Sequence, residues 1–252
     1  MEFINSLVNP PLNVFHKTYF CKTYNHEIGY NIYLPPSYEN SCEEYPVLYH
    51  FHGAGGSESS DIYMLEKVYQ NLETIVVFPN NSPIIEDIEN LPVESMIISE
   101  LIPFIDENYR TKKDREHRYV SGFSLGGVMS FYYAMKYPEI FSSVTAYSGS
   151  YHHYYYSYHT HEFTVGVERE KASEILYDMI REKRYLEENN ILGLLNKNAE
   201  KIRNNMQISL HVGTEDFLAC DSEILHLYLE RIGIEHEYLV FEGQGHELSG
   251  IL

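Results

Sequence analysis

The sequence predicts an α/β protein built on one mostly parallel sheet, and three features of it lead there. Short β-branched and aromatic runs alternate with segments of helical periodicity. Some of those runs are apolar throughout, as strands buried on both faces must be. Glycines punctuate the points where runs give way to turns. At 252 residues the chain suits one domain, 1–252, with 151–205 read as a cap-like insertion over the active-site edge of the sheet.

The elements follow in order. Residues 13–23 (NVFHKTYFCKT) and 27–35 (EIGYNIYLP) read as antiparallel strands, the second closed by Pro35-Pro36. An apolar run breaks into glycines at 46–56 (PVLYHFHGAGG), and 73–81 (ETIVVFPNN) is a second buried run, with a short helical segment between them. Over 94–109, Ile97, Ile98, Leu101, Ile102 and Ile105 fall at helical spacing, with Pro103 positioned to kink the helix. Residues 118–124 form a strand running into a turn. The helix after it, 125–137, places Val128, Phe131, Tyr132 and Met135 on one face. Strands at 141–150 and 208–216 come next. A helix then aligns Ile224, Leu225, Tyr228, Leu229 and Ile232 and stops at Gly233, and 237–247 is the last strand. Within the insertion, a Tyr/His run (YHHYYYSYH, 151–159) leads into a charged helical stretch.

Composition narrows the function. Thirty-seven acidic against 18 basic residues give a net charge of −19, which leaves no basic footprint for nucleic acid. No apolar stretch approaches the ~18–20 residues of a membrane span. The first residues lack the basic and apolar regions of a signal peptide. Cys21, Cys42 and Cys220 are odd in number and unrelated in spacing, so neither a disulfide framework nor a zinc knuckle is indicated. These points predict a cytoplasmic protein without cofactor or metal, acting on a small molecule.

The chemistry is concentrated in Gly122-Phe123-Ser124-Leu125-Gly126-Gly127. A serine between a strand and a helix, flanked by glycines, is the pattern of a nucleophile elbow, which lifts the hydroxyl clear at the sheet edge. Serine is a weak nucleophile until a base takes its proton. In the α/β-hydrolase fold the acid and base follow the serine in that order, each just past a strand. Asp216 follows one strand and His246 the next, with Glu215 as a rival acid. The oxyanion needs backbone donors, and Leu125 N–H and Ala54 N–H, the latter in His52-Gly53-Ala54-Gly55-Gly56, fit that need. Gly53, Phe123, Tyr151 and Tyr154 are the candidate substrate contacts.

Together YHFHGAGGSE, LIPFIDENYR, REHRYVSGFSLGG, VGTEDF and the GQGHE end resemble the esterase D-like family, over most of the chain. That family includes feruloyl, acetyl and siderophore esterases and S-formylglutathione hydrolases. REHR leading into GFSLGG looks most like the feruloyl and acetyl branch, since S-formylglutathione hydrolases usually carry histidine at the place of Phe123. The resemblance implies Ser124, Asp216 and His246 as the triad, with Ala54 and Leu125 as oxyanion donors. Two departures stand out: the family normally continues past the histidine into a closing helix, and the 151–205 insertion is long.

The expected function is therefore a serine carboxylesterase for small acyl or hydroxycinnamoyl esters, with carbohydrate as a candidate carrier. Its alternatives are a thioesterase of the S-formylglutathione hydrolase kind, an acyltransferase, and a non-catalytic relative. His152, His153, His159 and His161 raise a metal reading, but a Tyr-rich loop without carboxylates or thiols at ligand spacing does not favour it. The Tyr/His run is read instead as a pocket wall, or as a contact between copies in a homo-oligomer.

Overall fold

The computed structural model describes residues 3–81, 92–149, 151, 169–182 and 190–252. They fall into two compact units, Met1–Tyr119 and Val120–Leu252. Strands and helices alternate along the chain, and the expected α/β class holds.

In the first unit, β1 (Val14–Cys21) and β2 (His26–Tyr33) form an antiparallel hairpin, with Val14 opposite Tyr33 and Cys21 opposite His26. Asn25, at φ 50°, takes the left-handed position of the connecting turn, which asparagine tolerates better than most residues. Strand β2 also pairs antiparallel with β4 (Ile75–Pro79), and β4 pairs parallel with β3 (Val47–Phe51). Every residue of β4 is buried, as its unbroken apolar sequence required.

The expected helix between β3 and β4 is only one turn, α1 (Glu66–Tyr69). The helical pattern over 94–109 is divided. A turn α2 (Pro92–Glu94) leads into a π-helical stretch at Ser95–Leu101, and α3 (Ile102–Asn108) continues it. Pro103 explains the change of pitch. It has no N–H to donate into the preceding turn, and the wider winding lets Ile102 N–H bond Ile97 O instead.

The second unit carries most of β5 (Arg118–Phe123) and all of β6 (Ser143–Tyr147), β7 (Gln207–Gly213) and β8 (Glu237–Phe241). Strands β6, β7 and β8 are parallel in register, Tyr147 lying opposite His211 and Gly213 opposite Phe241. Helix α4 (Leu125–Lys136) packs on β6. It is buried from Gly126 to Met135, so the single apolar face expected from its sequence is instead a burial on nearly all sides. Each large side chain it hides, such as Phe131, contributes roughly 1.5–3 kcal/mol.

Within 151–205, α5 (Arg169–Glu182) packs on α7 (Ala219–Arg231), and α6 (Ile191–Ile202) packs on α4. Asn190 caps α6 by accepting from Leu192 N at 3.0 Å. Helix α7 presents Ile224, Leu225, Tyr228 and Leu229 to the core, as their spacing predicted. It stops at Gly233 (φ 67°), where Gly233 N bonds Glu230 O and Ile234 N bonds Leu229 O, a Schellman turn that only glycine enters cheaply. Strand β7 alternates: Ile208, Leu210 and Val212 are buried, while Gln207, Ser209 and His211 line a groove of about 670 Å³. The last strand ends at Phe241, short of the expected 247, because a turn with Gly243 at φ 70° follows it. Among the described residues no helix is long and apolar enough to cross a membrane.

Candidate active site

Strand β5 delivers Ser124 into a conformation that side chains avoid, φ 56° and ψ −117°. Such a residue costs on the order of 1–3 kcal/mol and persists only where its surroundings hold it. Two backbone bonds do so here. Ser124 N donates to Tyr147 O at 2.8 Å, and Ser124 O accepts from Val128 N at 3.1 Å. The crossing of α4 over β6 is tight. A β-carbon on Gly127 would lie 2.9 Å from Tyr147 O and 3.2 Å from Gly122 O, both rigid backbone atoms, which explains the glycine.

Asp216 stands just past β7 and is fully buried. Its Oδ1 accepts from Leu218 N at 2.7 Å, which fixes the carboxylate before any partner arrives. The loop after β8 is laid across the end of β7. Thr214 N donates to Phe241 O at 3.0 Å, Glu215 N to Gln244 O at 2.9 Å, and Gly243 N to Thr214 Oγ1 at 2.8 Å. This lacing sets His246 over Asp216.

The imidazole bridges the other two groups. His246 Nδ1 lies 3.1 and 3.0 Å from the two oxygens of Asp216, and Nε2 lies 3.0 Å from Ser124 Oγ. The carboxylate can only accept, so Nδ1 carries the proton and Nε2 is free to accept from the serine hydroxyl. The arrangement can take a proton from Ser124 and hold the resulting imidazolium against a buried anion. Glu215, the rival acid, is exposed, and only its backbone N–H takes part.

Two aromatic rings touch the imidazole. Phe123 lies 4.8 Å from it, centroid to centroid, and Phe217 lies 4.5 Å away. Phe123 was expected as a substrate contact, and its ring is spent at least partly on His246. Phe217 was missed by the sequence reading, although an aromatic directly after Asp216 was there to be seen. Gln244, whose carbonyl holds the histidine loop, carried no sequence signal.

The remaining expected residues lie as follows. Leu125 is the first residue of α4, where helix N–H groups have no partner within the helix. In the first unit, Gly53 and Ala54 occupy a turn after β3 closed by Gly56 N to Gly53 O at 3.1 Å, with Gly55 at φ 74°. Asn81, past β4, clasps the exit of β3: it accepts from His52 N at 3.2 Å and donates to His52 O at 3.3 Å. Tyr151 is buried edge-on against Phe131, their centroids 5.5 Å apart, which leaves little of its ring for a substrate. Tyr154, His152, His153, His159 and His161 lie outside the described residues. Among the described residues no cluster of His, Cys, Asp and Glu is arranged to hold a metal ion.

The model of the Esterase family matches residues 21–249. The chain belongs to the Esterase family. An esterase of Mycobacterium tuberculosis (strain H37Rv) is 33% identical over 131 residues, 48% of this chain. The match spans only 29% of that relative's length. Among solved structures, a ferulic acid esterase superposes with a TM-score of 0.72 at 22% identity, covering 94% of this chain and 92% of that one. An S-formylglutathione hydrolase from Staphylococcus aureus gives 0.71 at 16% identity, with the same coverage. At these identities the structural likeness speaks for the fold of this Esterase family member.

Proposed function

We propose that this chain is a serine carboxylesterase working through an acyl-enzyme, with Ser124, His246 and Asp216 as its triad. One observation carries the reading: a single imidazole within hydrogen-bond reach of both Ser124 Oγ and the buried Asp216 carboxylate.

In the first half-reaction Ser124 Oγ attacks the ester carbonyl carbon as its proton passes to His246 Nε2. The tetrahedral intermediate places negative charge on the former carbonyl oxygen, and the sequence assigns its stabilisation to Leu125 N–H and Ala54 N–H. The C–O bond to the alcohol then breaks, and His246 returns the proton to the leaving oxygen. Water, deprotonated by the same nitrogen, attacks the acyl carbon, the bond from that carbon to Ser124 Oγ breaks to release the carboxylic acid, and His246 returns the proton to Oγ. Asp216 keeps Nδ1 protonated throughout, so that Nε2 always faces the reacting oxygen.

For substrate we propose small acyl or hydroxycinnamoyl esters, with a carbohydrate alcohol as one carrier. The match to the Esterase family and the similarity to a ferulic acid esterase support this. A thioesterase reading draws on the nearly equal likeness to an S-formylglutathione hydrolase. Three free thiols, two of them buried, suit the cytoplasm that the sequence suggested.

Hydrolysis of p-nitrophenyl acetate, methyl ferulate and S-formylglutathione, each with Ser124→Ala as control, tests the proposal. Turnover of an oxygen ester that falls by roughly 10⁴–10⁶-fold in the variant is the expected result. Turnover confined to the thioester selects the second reading. Equal inactivity of wild type and variant toward all three would refute both.

A further inference from the structure

We propose that Phe217, with Phe123, is a positioning residue for His246: the two rings fix the roll of the imidazole between Ser124 and Asp216 and favour the charged ring formed during acyl transfer. The proposal rests on the triad reading above.

Two hydrogen bonds do not immobilise an imidazole. Bonds at Nδ1 and Nε2 define a line through the ring, and the ring can still roll about that line while both distances are kept. His246 also follows Gly243, at φ 70°, and Gly245 in a loop without regular secondary structure. A flat surface in contact with the ring restrains the roll. Phe217 offers one at 4.5 Å and an interplanar angle of 48°, and Phe123 another at 4.8 Å and 32°.

The placement follows from the chain. Phe123 directly precedes Ser124 and Phe217 directly follows Asp216, so each hydrogen-bond partner of the imidazole brings its own aromatic neighbour. Core packing does not account for Phe217, whose surface is 43% exposed. Its ring is set against the imidazole of His246. When His246 takes the serine proton, the positive charge develops beside two π-systems, which attract cations at such distances. The contribution is therefore larger in the transition state than in the resting enzyme, which is the condition for a rate effect.

The test replaces Phe217 by leucine, which keeps apolar bulk without a π-face, and by tyrosine, which restores the ring. Phe217→Leu should lower kcat on p-nitrophenyl acetate by ~3–10-fold with KM within about twofold, the size of one cation–aromatic contact at a half-exposed site. The acid limb of its pH–rate profile should move to lower pH, because the imidazolium loses a stabilising neighbour. Phe217→Tyr should recover both. Thermal melts check that each variant folds. A rise in KM at unchanged kcat would overturn the proposal by making Phe217 a substrate contact. An unchanged kcat and pH profile would overturn it outright.

Failure of the underlying reading is seen separately. Labelling of Ser124 by a fluorophosphonate reports whether the serine is activated. NMR titration of the His246 ring in wild type and Phe217→Leu reports the aromatic contact whether or not any ester is turned over. Identical titration curves would defeat the positioning role even in an active enzyme.

Discussion

Gly213 lies so close against the backbone carbonyl of Gln244 that a β-carbon at position 213 would overlap it. The same carbonyl accepts from Glu215 N at 2.9 Å. The end of β7 and the loop carrying His246 are thus pressed together at a point two residues from the base. Gly213→Ala has to push that loop away. It should cost about 1–3 kcal/mol of stability and lower kcat/KM by more than about tenfold, because an ångström of misplacement is expensive in a proton-transfer geometry. Gly245→Ala is the control, since nothing lies within 4 Å of its β-carbon. Thermal melts and ester kinetics on the two variants check the contrast, and equal behaviour would contradict it.

Two adjacent acids differ completely in setting. Asp216 is buried against His246, and Glu215 is exposed. Asp216→Asn keeps the shape but removes the preference for a proton on Nδ1. It should reduce kcat by roughly 10³–10⁴-fold, the scale known for the aspartate of serine proteases. Glu215→Gln should stay within about twofold of wild type. Reversed effects in a steady-state assay would move the acid to Glu215.

Stability should fall on mild acidification. Burial holds the imidazoles of His52, His211 and His226 below their ordinary value, because the charged ring is disfavoured where water is excluded. A histidine whose folded pKa lies below its unfolded value of about 6.5 takes up protons more readily in the unfolded chain. Its contribution is in place above that pH and is lost as the pH falls through it. The urea midpoint should therefore drop between about pH 7.5 and pH 5.5. The drop should shrink in His211→Gln. A variant as pH-sensitive as the wild type would show that His211 contributes nothing to the slope.

The thiols give a simple check on the packing. Cys42 is exposed, and Cys21 and Cys220 are buried. In the native protein an aromatic disulfide reagent should titrate Cys42 rapidly. The other two should react only after denaturation, because burial denies the reagent access. Rapid reaction of all three in the native state would mean that the regions around Cys21 and Cys220 open readily.

Much of this protein was written locally. The alternation of apolar runs and helical patterns, the stop of α7 at Gly233, and the serine between glycines all depend on neighbours a few residues away. Backbone sterics and periodicity make such features visible in a single chain. Even Pro103 announced an irregularity, because a missing N–H acts where it stands. The order of Ser124, Asp216 and His246 was legible too, since each follows a strand.

Other features needed the tertiary structure, because they depend on which distant segments touch. The sequence preferred Asp216 to its neighbour Glu215 as the acid, and the fold supplies the contrast in setting: Asp216 is buried and Glu215 exposed. The sequence offered Phe123 to the substrate, and the fold shows its ring also lying against His246, with Phe217 beside it. Gly213 lay inside the strand expected over 208–216, and only the carbonyl of Gln244, thirty-one residues later, shows why it bears no side chain. Sequence determined which chemical groups this chain carries and in what order. Contacts between segments far apart in the chain decided which of them meet, because packing and burial act across space.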